Sequence, residues 1–268
     1  MNLCAVVIPF HETSLSEIQL DVVKHNIYCL SKWEIFFTVS RTNEDYAKKI
    51  ASNFTNVQVV IFDNHFFESI HGYNNLLTSS IFYKKFEVFD FILICQTDAI
   101  VFSDTLKFWC LKNYSYVGAP WFKGYENPSK PLKFYGVGNG GLSLRKTKDC
   151  LKIINEKKIR TCFFAYLNAY ELNIKNSYKY LKQLIKFILN YQIAEDIFWG
   201  IGAKLTDASF TVPPFHEALE FSFENMPSYL YQLNNYNLPF GCHGFTKYEP
   251  DFWELILNKK KIHLNISA

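Results

Sequence analysis

The stretch FDFILICQTDAIVFSD, residues 89–104, decides the fold. Its segment FILIC, residues 91–95, is an uninterrupted apolar run that indicates a buried β-strand, and Gln96, Thr97 and Asp98 follow before the apolar residues resume. Ligands of open α/β sheets bind beyond the carboxyl ends of the strands, so Asp98 is predicted at the mouth of a cleft. There its carboxylate could hold a divalent cation against a diphosphate. The alternative is a turn aspartate that bonds its own backbone.

The chain before this strand alternates β-rich runs with segments of helical spacing. This alternation predicts an α/β architecture, with a mostly parallel central sheet and helices on both of its faces. The predicted strands are residues 5–10, 34–39, 57–62 and 91–95, and the predicted helices lie within residues 14–32, 42–54 and 73–86.

The chain after residue 105 changes character. Residues 116–141 are rich in glycine and proline and predict a long loop, and loops of that length in compact domains are often functional. The segment LSLR, residues 142–145, predicts a short alternating strand. Helical material is predicted to about residue 192, then a loop that enters a helix at residues 194–204, and strand and loop from residue 212 onward.

Composition argues against several classes of protein. With 268 residues, of which 49% are hydrophobic and 18% aromatic, the chain is predicted to be globular, with one large α/β domain or two small ones. Its net charge of +3 is too small to indicate nucleic-acid binding. The seven cysteines lack the spacing of a zinc site. No apolar run approaches the ~18 residues of a membrane span and the N-terminus is unlike a signal peptide, so a cytoplasmic location is expected.

A glycine-rich segment, GVGNGGLSLR at residues 136–145, is the second candidate site. Gly136, Gly138 and Gly141 satisfy G-x-G-x-x-G, but a dinucleotide-binding motif follows a strand and opens a helix, whereas a strand follows this segment. Four glycines in six residues indicate either a backbone that a ligand approaches closely or a structural turn. On the first alternative the segment forms a wall against a sugar or phosphate, with Asn139 as its polar contact.

Two further pairs of residues suggest chemistry. Glu195 and Asp196 lie near a predicted helix start, where one carboxylate can cap the helix while the other points into a cleft. An ordinary acidic first turn is the alternative. His243 could supply a nitrogen ligand to a metal, and Lys247 a cation to a phosphate, although a lone histidine is often structural.

Two other regions suggest contacts with a sugar or a membrane. Trp121 and Tyr125, in the long loop, could stack on a sugar face or anchor the loop. Residues 170–192 carry a lysine stripe beside an apolar one, which predicts either a solvated surface helix or a helix that lies on anionic lipid. The lysines of that stripe are Lys175, Lys179, Lys182 and Lys186.

Taken in order, these motifs resemble a bacterial family of glycosyltransferases with the GT-A fold. The resemblance spans roughly residues 72–253 and rests on YNNLLTSSIFYKKFEVFDFILICQTDAIVFSD, YVGAPWF, GVGNGGLSLR, AEDIFW, FSFE and PFGCHGFTKY. It implies a single GT-A-like domain over residues 1–268, with a nucleotide-binding half at 1–105 and an acceptor-binding and catalytic half at 106–268.

The resemblance also implies a site for Mn²⁺ or Mg²⁺ on the diphosphate of the donor. GT-A enzymes generally carry a D-x-D element at the end of a central strand, and QTD stands in its place here. Asp98 matches the second acidic position, but Gln96 replaces the first, which leaves metal dependence open. His243 and Lys247 are similar to a histidine and a following lysine that close over metal and diphosphate in some GT-A families. Asp98 and His243 are therefore the predicted metal ligands.

The chemistry implied by the resemblance is direct displacement at the sugar. Asp196 matches the second carboxylate of the E-D pair of inverting GT-A enzymes, so it is predicted to deprotonate the acceptor hydroxyl as general base. The predicted donor contacts are Tyr73, Asn74, Gln96, Asn139, Gly140, Gly141 and Lys247, and the predicted acceptor contacts are Trp121 and Glu195.

The expected partners are a nucleotide-sugar donor and a glycan or lipid-linked glycan acceptor in bacterial surface glycan synthesis, without nucleic acid. Peripheral contact with the inner face of the membrane is expected through residues 170–192. Three alternatives remain: a retaining transferase, a catalytically degenerate sugar-binding or scaffold protein on the same fold, and a nucleotidyltransferase.

Overall fold

The structure, a computed structural model, describes residues 2–125, 128, 130–169 and 193–262, with side chains left out at 166–169. The lysine stripe and membrane contact predicted for residues 170–192 lie outside the described residues. Within them, no helix is long and apolar enough to cross a membrane.

A six-stranded sheet forms the centre of the molecule. Its strands are β1 Asn2–Pro9, β2 Glu34–Ser40, β3 Val57–Phe62, β4 Phe89–Cys95, β6 Tyr116–Val117 and β9 Leu142–Lys146. They lie in the order β3-β2-β1-β4-β9-β6. Strands β1 to β4 are parallel to one another, and β9 runs antiparallel to both of its neighbours.

Helices cover both faces of this sheet, as the alternation of strands and helices predicts. Helices α1 Glu17–Cys29, α2 Glu44–Ala51 and α5 Leu106–Leu111 pack on one face, and α3 Ile70–Leu77, α4 Ser80–Lys85 and α6 Thr147–Ala169 pack on the other. Helix α7 packs on the same face as α6. It consists of the α-helical turns Glu195–Ile197 and Lys204–Thr206, joined by the π-helical segment Phe198–Ala203.

The central strands alternate their side chains between two separate hydrophobic cores. In β1, Ala5 and Val7 face the α3/α4/α6/α7 layer, whereas Val6 and Ile8 face the α1/α2/α5 layer. Strand β4 alternates in the same way. Because helices cover both faces, the parallel strands are rich in apolar residues, and for that reason the sequence locates them.

Two small sheets complete the fold at one end of the central sheet. Strand β5, Ala99–Val101, follows β4 almost directly and pairs antiparallel with β11, Gly241–His243, which in turn pairs parallel with β10, Ser222–Phe223. Strands β7, Ala119–Phe122, and β8, Phe134–Gly138, form an antiparallel pair. The β5–β11 pairing joins the two halves of the chain on either side of residue 105.

Two sequence predictions for the second half are wrong. The glycine-rich stretch 116–141 is not a continuous loop, because it contains β6, β7 and β8. The C-terminal part is not strand and loop alone, because it contains the helices α8 Phe215–Phe221, α9 Pro227–Leu233 and α10 Pro250–Lys259. These short helices are rich in aromatic residues, whose strand preference outweighs the helical signal in a sequence-based assignment.

Candidate active site

A cleft of about 510 Å³ lies at the carboxyl edge of the parallel strands. Its walls come from the ends of β1 and β4, from α3, from the turn between β8 and β9, and from the N-terminus of α7. The predicted site residues that line it are Tyr73, Asn74, Gln96, Asp98, Gly140, Gly141, Glu195, Asp196, His243 and Lys247.

Strand pairing brings Asp98 and His243 together. Ala99 of β5 is the register partner of His243 in β11, and the backbone N–H of Gly244 donates to the carbonyl of Asp98 at 3.1 Å. His243 Nε2 lies 3.3 Å from Asp98 Oδ1. Its other ring nitrogen, Nδ1, lies 3.0 Å from Oε1 of Glu224, the residue that follows β10. The imidazole therefore stands between two carboxylates.

The opposite charges of His243 and its two carboxylate neighbours shift the pKa values of this group. Burial disfavours the imidazolium, but the carboxylates of Asp98 and Glu224 outweigh that effect and raise the pKa of His243 to about 10. Burial likewise works to raise the pKa of Asp98, but His243 brings it below its ordinary value. The two carboxylates thus favour the protonated form of the ring.

Glu195 faces inward, toward a buried arginine. Its Oε2 lies 2.7 Å from Nη2 of Arg145, and both side chains are almost completely buried. Gly140 packs so closely that a Cβ at that position would lie 2.0 Å from Glu195 Oε1. The backbone N–H of Glu195 donates to Asn74 Oδ1 at 3.3 Å. Glu195 therefore anchors the N-terminus of α7, which is a different role from the predicted acceptor contact.

Arg145 owes its burial to its position on β9. It is the register partner of Ile92 in the central strand β4, so its side chain enters the layer that contains α7. Its guanidinium donates to Ser143 Oγ at 3.0 and 3.1 Å and to the Tyr83 hydroxyl at 3.3 Å. Buried charges need such partners, and Glu195 neutralises this one.

Asp196 points the other way and lines the cleft, partly exposed. Its Oδ1 accepts a hydrogen bond from the backbone N–H of Ile197 at 2.8 Å. Burial, followed by repulsion from the Glu195 and Glu224 carboxylates, raises the pKa of Asp196 to about 7. A carboxylate with a pKa near the working pH is suited to general base catalysis.

Asn139 supports the glycine-rich turn from inside and does not line the cleft. It is fully buried, with φ of 85°, and its Oδ1 accepts hydrogen bonds from the backbone N–H groups of Gly141 and Leu142, each at 3.1 Å. Its Nδ2 donates to Ser222 Oγ at 3.1 Å. The predicted donor contact at Asn139 is therefore replaced by a structural one, while Gly140 and Gly141 do line the cleft.

Trp121 also lies beneath the cleft surface and does not offer a face to an acceptor. Only 4% of the residue is exposed, and its Nε1–H donates to Glu224 Oε2 at 2.8 Å. Tyr125 packs edge-on against it, with ring centroids 5.0 Å apart, and reaches the cleft wall instead. Lys247 also lines the cleft, and its Nζ donates to the Tyr248 hydroxyl at 2.8 Å.

The remaining predicted donor contacts lie together at the end of β4. Gln96 Nε2 donates to the Tyr73 hydroxyl at 3.2 Å, and the backbone N–H of Gln96 donates to the Gly141 carbonyl at 2.8 Å. Asn74, which follows Tyr73 on α3, is half-buried. The substitution of glutamine for an acidic residue in QTD thus places an amide in contact with a tyrosine.

Sequence reasoning assigned no role to three residues of the site. His11 follows β1 and packs edge-on against Tyr73, with ring centroids 4.2 Å apart, at the cleft wall. Glu224 and Arg145 stand within the quoted segments FSFE and GNGGLSLR. An acidic residue immediately after a short apolar strand, as in FSFE, is the one signal that could have indicated Glu224.

Comparison with known proteins identifies a family and a fold. The model of a family described as "Protein of unknown function (DUF5672)" matches residues 56–243. No curated protein matches the chain significantly. Among solved structures, the chain is similar to glycosyltransferase GlyE of Streptococcus pneumoniae TIGR4, with 12% identity over 100% of this chain and 66% of that one, at a TM-score of 0.50.

Two other solved transferases are similar over nearly their full length. Mouse xyloside xylosyltransferase 1 is 10% identical, with 91% of this chain and 97% of that one covered, at a TM-score of 0.49. Galactosyltransferase LgtC, solved with donor and acceptor sugar analogs, is 11% identical, with 96% of each chain covered, at a TM-score of 0.48. The similarity to GlyE, together with the strand order, confirms the predicted fold class, an α/β domain of the GT-A type.

Proposed function

The chain belongs to the DUF5672 family, and from its fold and its cleft we propose that it transfers a sugar from a nucleotide-sugar donor to an acceptor hydroxyl. One observation carries the proposal: the cleft of a GT-A fold joins the Asp98–His243 pair to Asp196, a partly exposed carboxylate whose pKa is raised to about 7. The first pair suits a diphosphate with its cation, and the carboxylate suits a hydroxyl that must lose its proton.

Asp98 and His243 fit the role of ligands for Mn²⁺ or Mg²⁺. Their facing atoms are a carboxylate oxygen and an imidazole nitrogen 3.3 Å apart, and hard cations that bind nucleotides commonly complete their coordination with substrate phosphates and water. Among the described residues no group of three or more His, Cys, Asp or Glu side chains could hold a metal, so the diphosphate has to supply further ligands. A cation bound there would neutralise charge on the departing diphosphate.

The protein's own residues account for the remaining steps. Tyr73, Asn74 and Gln96 bind the donor beside the end of β4, and the Lys247 ammonium lies on the wall near the diphosphate. Asp196 Oδ1 is held by the Ile197 N–H, so Oδ2 is the oxygen that receives the acceptor proton. As that proton leaves, the acceptor oxygen bonds to the anomeric carbon and the bond from that carbon to the diphosphate oxygen breaks. Displacement from the opposite face inverts the anomeric configuration.

The catalytic rate is expected to depend on pH through Asp196. Because the base must be ionised and the pKa of Asp196 is raised to about 7, kcat/KM should level off above that pH and fall about tenfold per pH unit below it. The measurement is a pH profile of product formation at saturating Mn²⁺ between pH 5 and 9. A profile that is flat across neutral pH would contradict the assignment.

The donor site is tested by calorimetric titration of a panel of nucleotide sugars, with Mn²⁺ and with EDTA. One donor should bind, and binding should weaken in EDTA and in the Asp98→Ala variant, because both changes remove the cation from the diphosphate. Donor binding that EDTA does not weaken would be consistent with a transferase but would contradict the proposed metal dependence. Failure of every donor to bind folded protein would favour a degenerate sugar-binding or scaffold protein.

Replacement of Gly141 by alanine should disturb the site more than the same change at Gly136. A Cβ at Gly141 would lie 2.1 Å from Cδ2 of His243, whereas a Cβ at Gly136 would lie 3.3 Å from the nearest atom, on Ile201. Displacement of the ring should lower kcat/KM about 100-fold in Gly141→Ala. Steady-state kinetics of both variants provide the comparison, and equal activities would show that the ring can move without loss.

The acceptor and the stereochemistry belong to the same proposal. We propose a glycan or lipid-linked glycan of the bacterial surface as acceptor, bound beside Asp196 and Tyr125. Proton NMR of freshly formed product distinguishes inversion from retention at the anomeric carbon. A product with retained configuration would mean that Asp196 is not the general base of a direct displacement. It would not affect the proposed donor site.

A further inference from the structure

A chain of hydrogen bonds runs under the cleft from the β7–β8 pair to the predicted metal ligands. Trp121 Nε1–H donates to Glu224 Oε2 at 2.8 Å, and Glu224 Oε1 lies 3.0 Å from His243 Nδ1. The other ring nitrogen, Nε2, faces Asp98 Oδ1 at 3.3 Å. The four residues of this chain come from four separate parts of the sequence, which the small β5–β11–β10 sheet and the β7–β8 pair bring together.

Glu224 is built into this position. Only 3% of the residue is exposed, and the parallel pairing of Phe223 with Cys242 sets it beside His243. Gly141 packs closely against the imidazole of His243, because a Cβ at position 141 would lie 2.2 Å from Nε2. The ring therefore has little room to turn. A carboxylate only accepts hydrogen bonds, and Trp121 only donates, so the orientation of every hydrogen in the chain is determined.

We propose that Glu224 is a positioning residue that keeps the hydrogen of His243 on Nδ1 and so presents Nε2 to the cation and diphosphate of the donor. This inference rests on the proposed function. Because Nδ1 faces a carboxylate, it carries a hydrogen and donates it, and a neutral ring must then carry its lone pair on Nε2. A carboxylate or carbonyl that accepts from the second nitrogen of a metal-binding histidine commonly fixes its tautomer, and loss of it weakens metal affinity.

The substitution Glu224→Gln reverses this orientation. Trp121 N–H requires an oxygen, so the glutamine carbonyl turns toward Trp121 and its NH₂ group turns toward His243 Nδ1. That nitrogen must then accept, the ring hydrogen moves to Nε2, and Nε2 donates to Asp98 instead of binding a cation. In the double variant Trp121→Phe/Glu224→Gln the indole N–H is absent. The glutamine amide can then rotate, and its oxygen can accept the hydrogen of His243 Nδ1.

The test is a titration of Mn²⁺ alone, with the electron paramagnetic resonance signal of the free ion as readout. We expect Glu224→Gln to bind Mn²⁺ about 10- to 100-fold more weakly than the unmodified protein, and the double variant Trp121→Phe/Glu224→Gln to regain affinity. Glu220→Gln, an exposed carboxylate nearby on α8, removes the same charge outside the chain and should bind as the unmodified protein does. Far-UV circular dichroism establishes that each variant is folded.

Each result has a separate meaning. Equal Mn²⁺ affinity in Glu224→Gln and unmodified protein, or a double variant weaker than the single one, would overturn the inference and leave the proposed function intact. Absence of Mn²⁺ binding in the unmodified protein would overturn the inference together with the metal site, whereas donor calorimetry tests the transferase separately. Should Glu224→Gln not fold, ¹⁵N spectra of the unmodified protein with Mg²⁺ decide: loss of the His243 hydrogen from Nε2 supports the inference, and loss from Nδ1 overturns it.

Discussion

Asp196→Asn is expected to lower kcat by about 10²- to 10⁴-fold, the usual contribution of a positioned general base. Asparagine has the same shape as aspartate and can still accept the Ile197 N–H through its carbonyl oxygen, so the N-terminus of α7 keeps its geometry. Its amide nitrogen cannot take a proton from the acceptor. The measurement is a comparison of kcat with donor affinity, and affinity should remain unchanged because Asp196 acts on the acceptor.

A second signature separates loss of the base from a general disturbance. The residual activity of Asp196→Asn should lose the ionisation that Asp196 contributes near pH 7. Glu220→Gln serves as a control outside the cleft and should keep full activity. If Asp196→Asn retained more than half of the activity, Asp196 would not be the general base.

Arg145→Met is expected to lower the free energy of unfolding by about 3–5 kcal/mol, because it leaves Glu195 as a buried carboxylate without its countercharge. Both side chains of the pair are almost fully buried, and the lost guanidinium also served Ser143 and Tyr83. Methionine fills much of the volume, so a cavity contributes little. Denaturant unfolding monitored by circular dichroism measures the change.

The double variant Arg145→Met/Glu195→Gln identifies the source of that loss. With the unpaired charge removed, stability should recover substantially, since the pair itself contributes much less than the cost of breaking it. Lys48→Met, which breaks the surface pair with Glu44, should have a far smaller effect because solvent screens exposed charges. A double variant no more stable than Arg145→Met would mean that packing around the guanidinium, rather than charge, accounts for the loss.

The parts of the fold that the sequence predicts are those in which local pattern and burial agree. Strands β1 to β4 are predominantly apolar because helices cover both faces of the sheet, and their parallel order follows from the helices between them. The position of Asp98 at the cleft follows from the same rule, since it comes just after the central strand. The N-terminal position of Glu195 and Asp196 on α7 follows from local acidic residues alone.

The parts that escape prediction depend on contacts between distant segments. Arginine on a strand is typical of an exposed edge, and only the approach of Glu195 makes burial of Arg145 tolerable. Trp121 and Asn139 are residues that often contact sugars, yet here their polar atoms bond Glu224, Ser222 and backbone. Glu224 acquires its place only through the pairing of β10 with β11. Apart from the backbone of Gly141 and Leu142 beside Asn139, these partners lie far apart in the sequence, so the spacing of residues does not reveal them.

The antiparallel pairing of β5 with β11 also sets the order in which the cleft can come into being. Strands β1 to β4 precede β11 in the sequence and therefore leave the ribosome before it. Gly241–His243 emerges far later and must close a loop that spans most of the chain before it reaches β5, which is a slow type of contact. Until β11 has been synthesised, Asp98 lacks its partner His243. A chain that ends before β11 lacks His243, one of the two proposed metal ligands, so metal-dependent donor binding is expected only of a chain that contains β11.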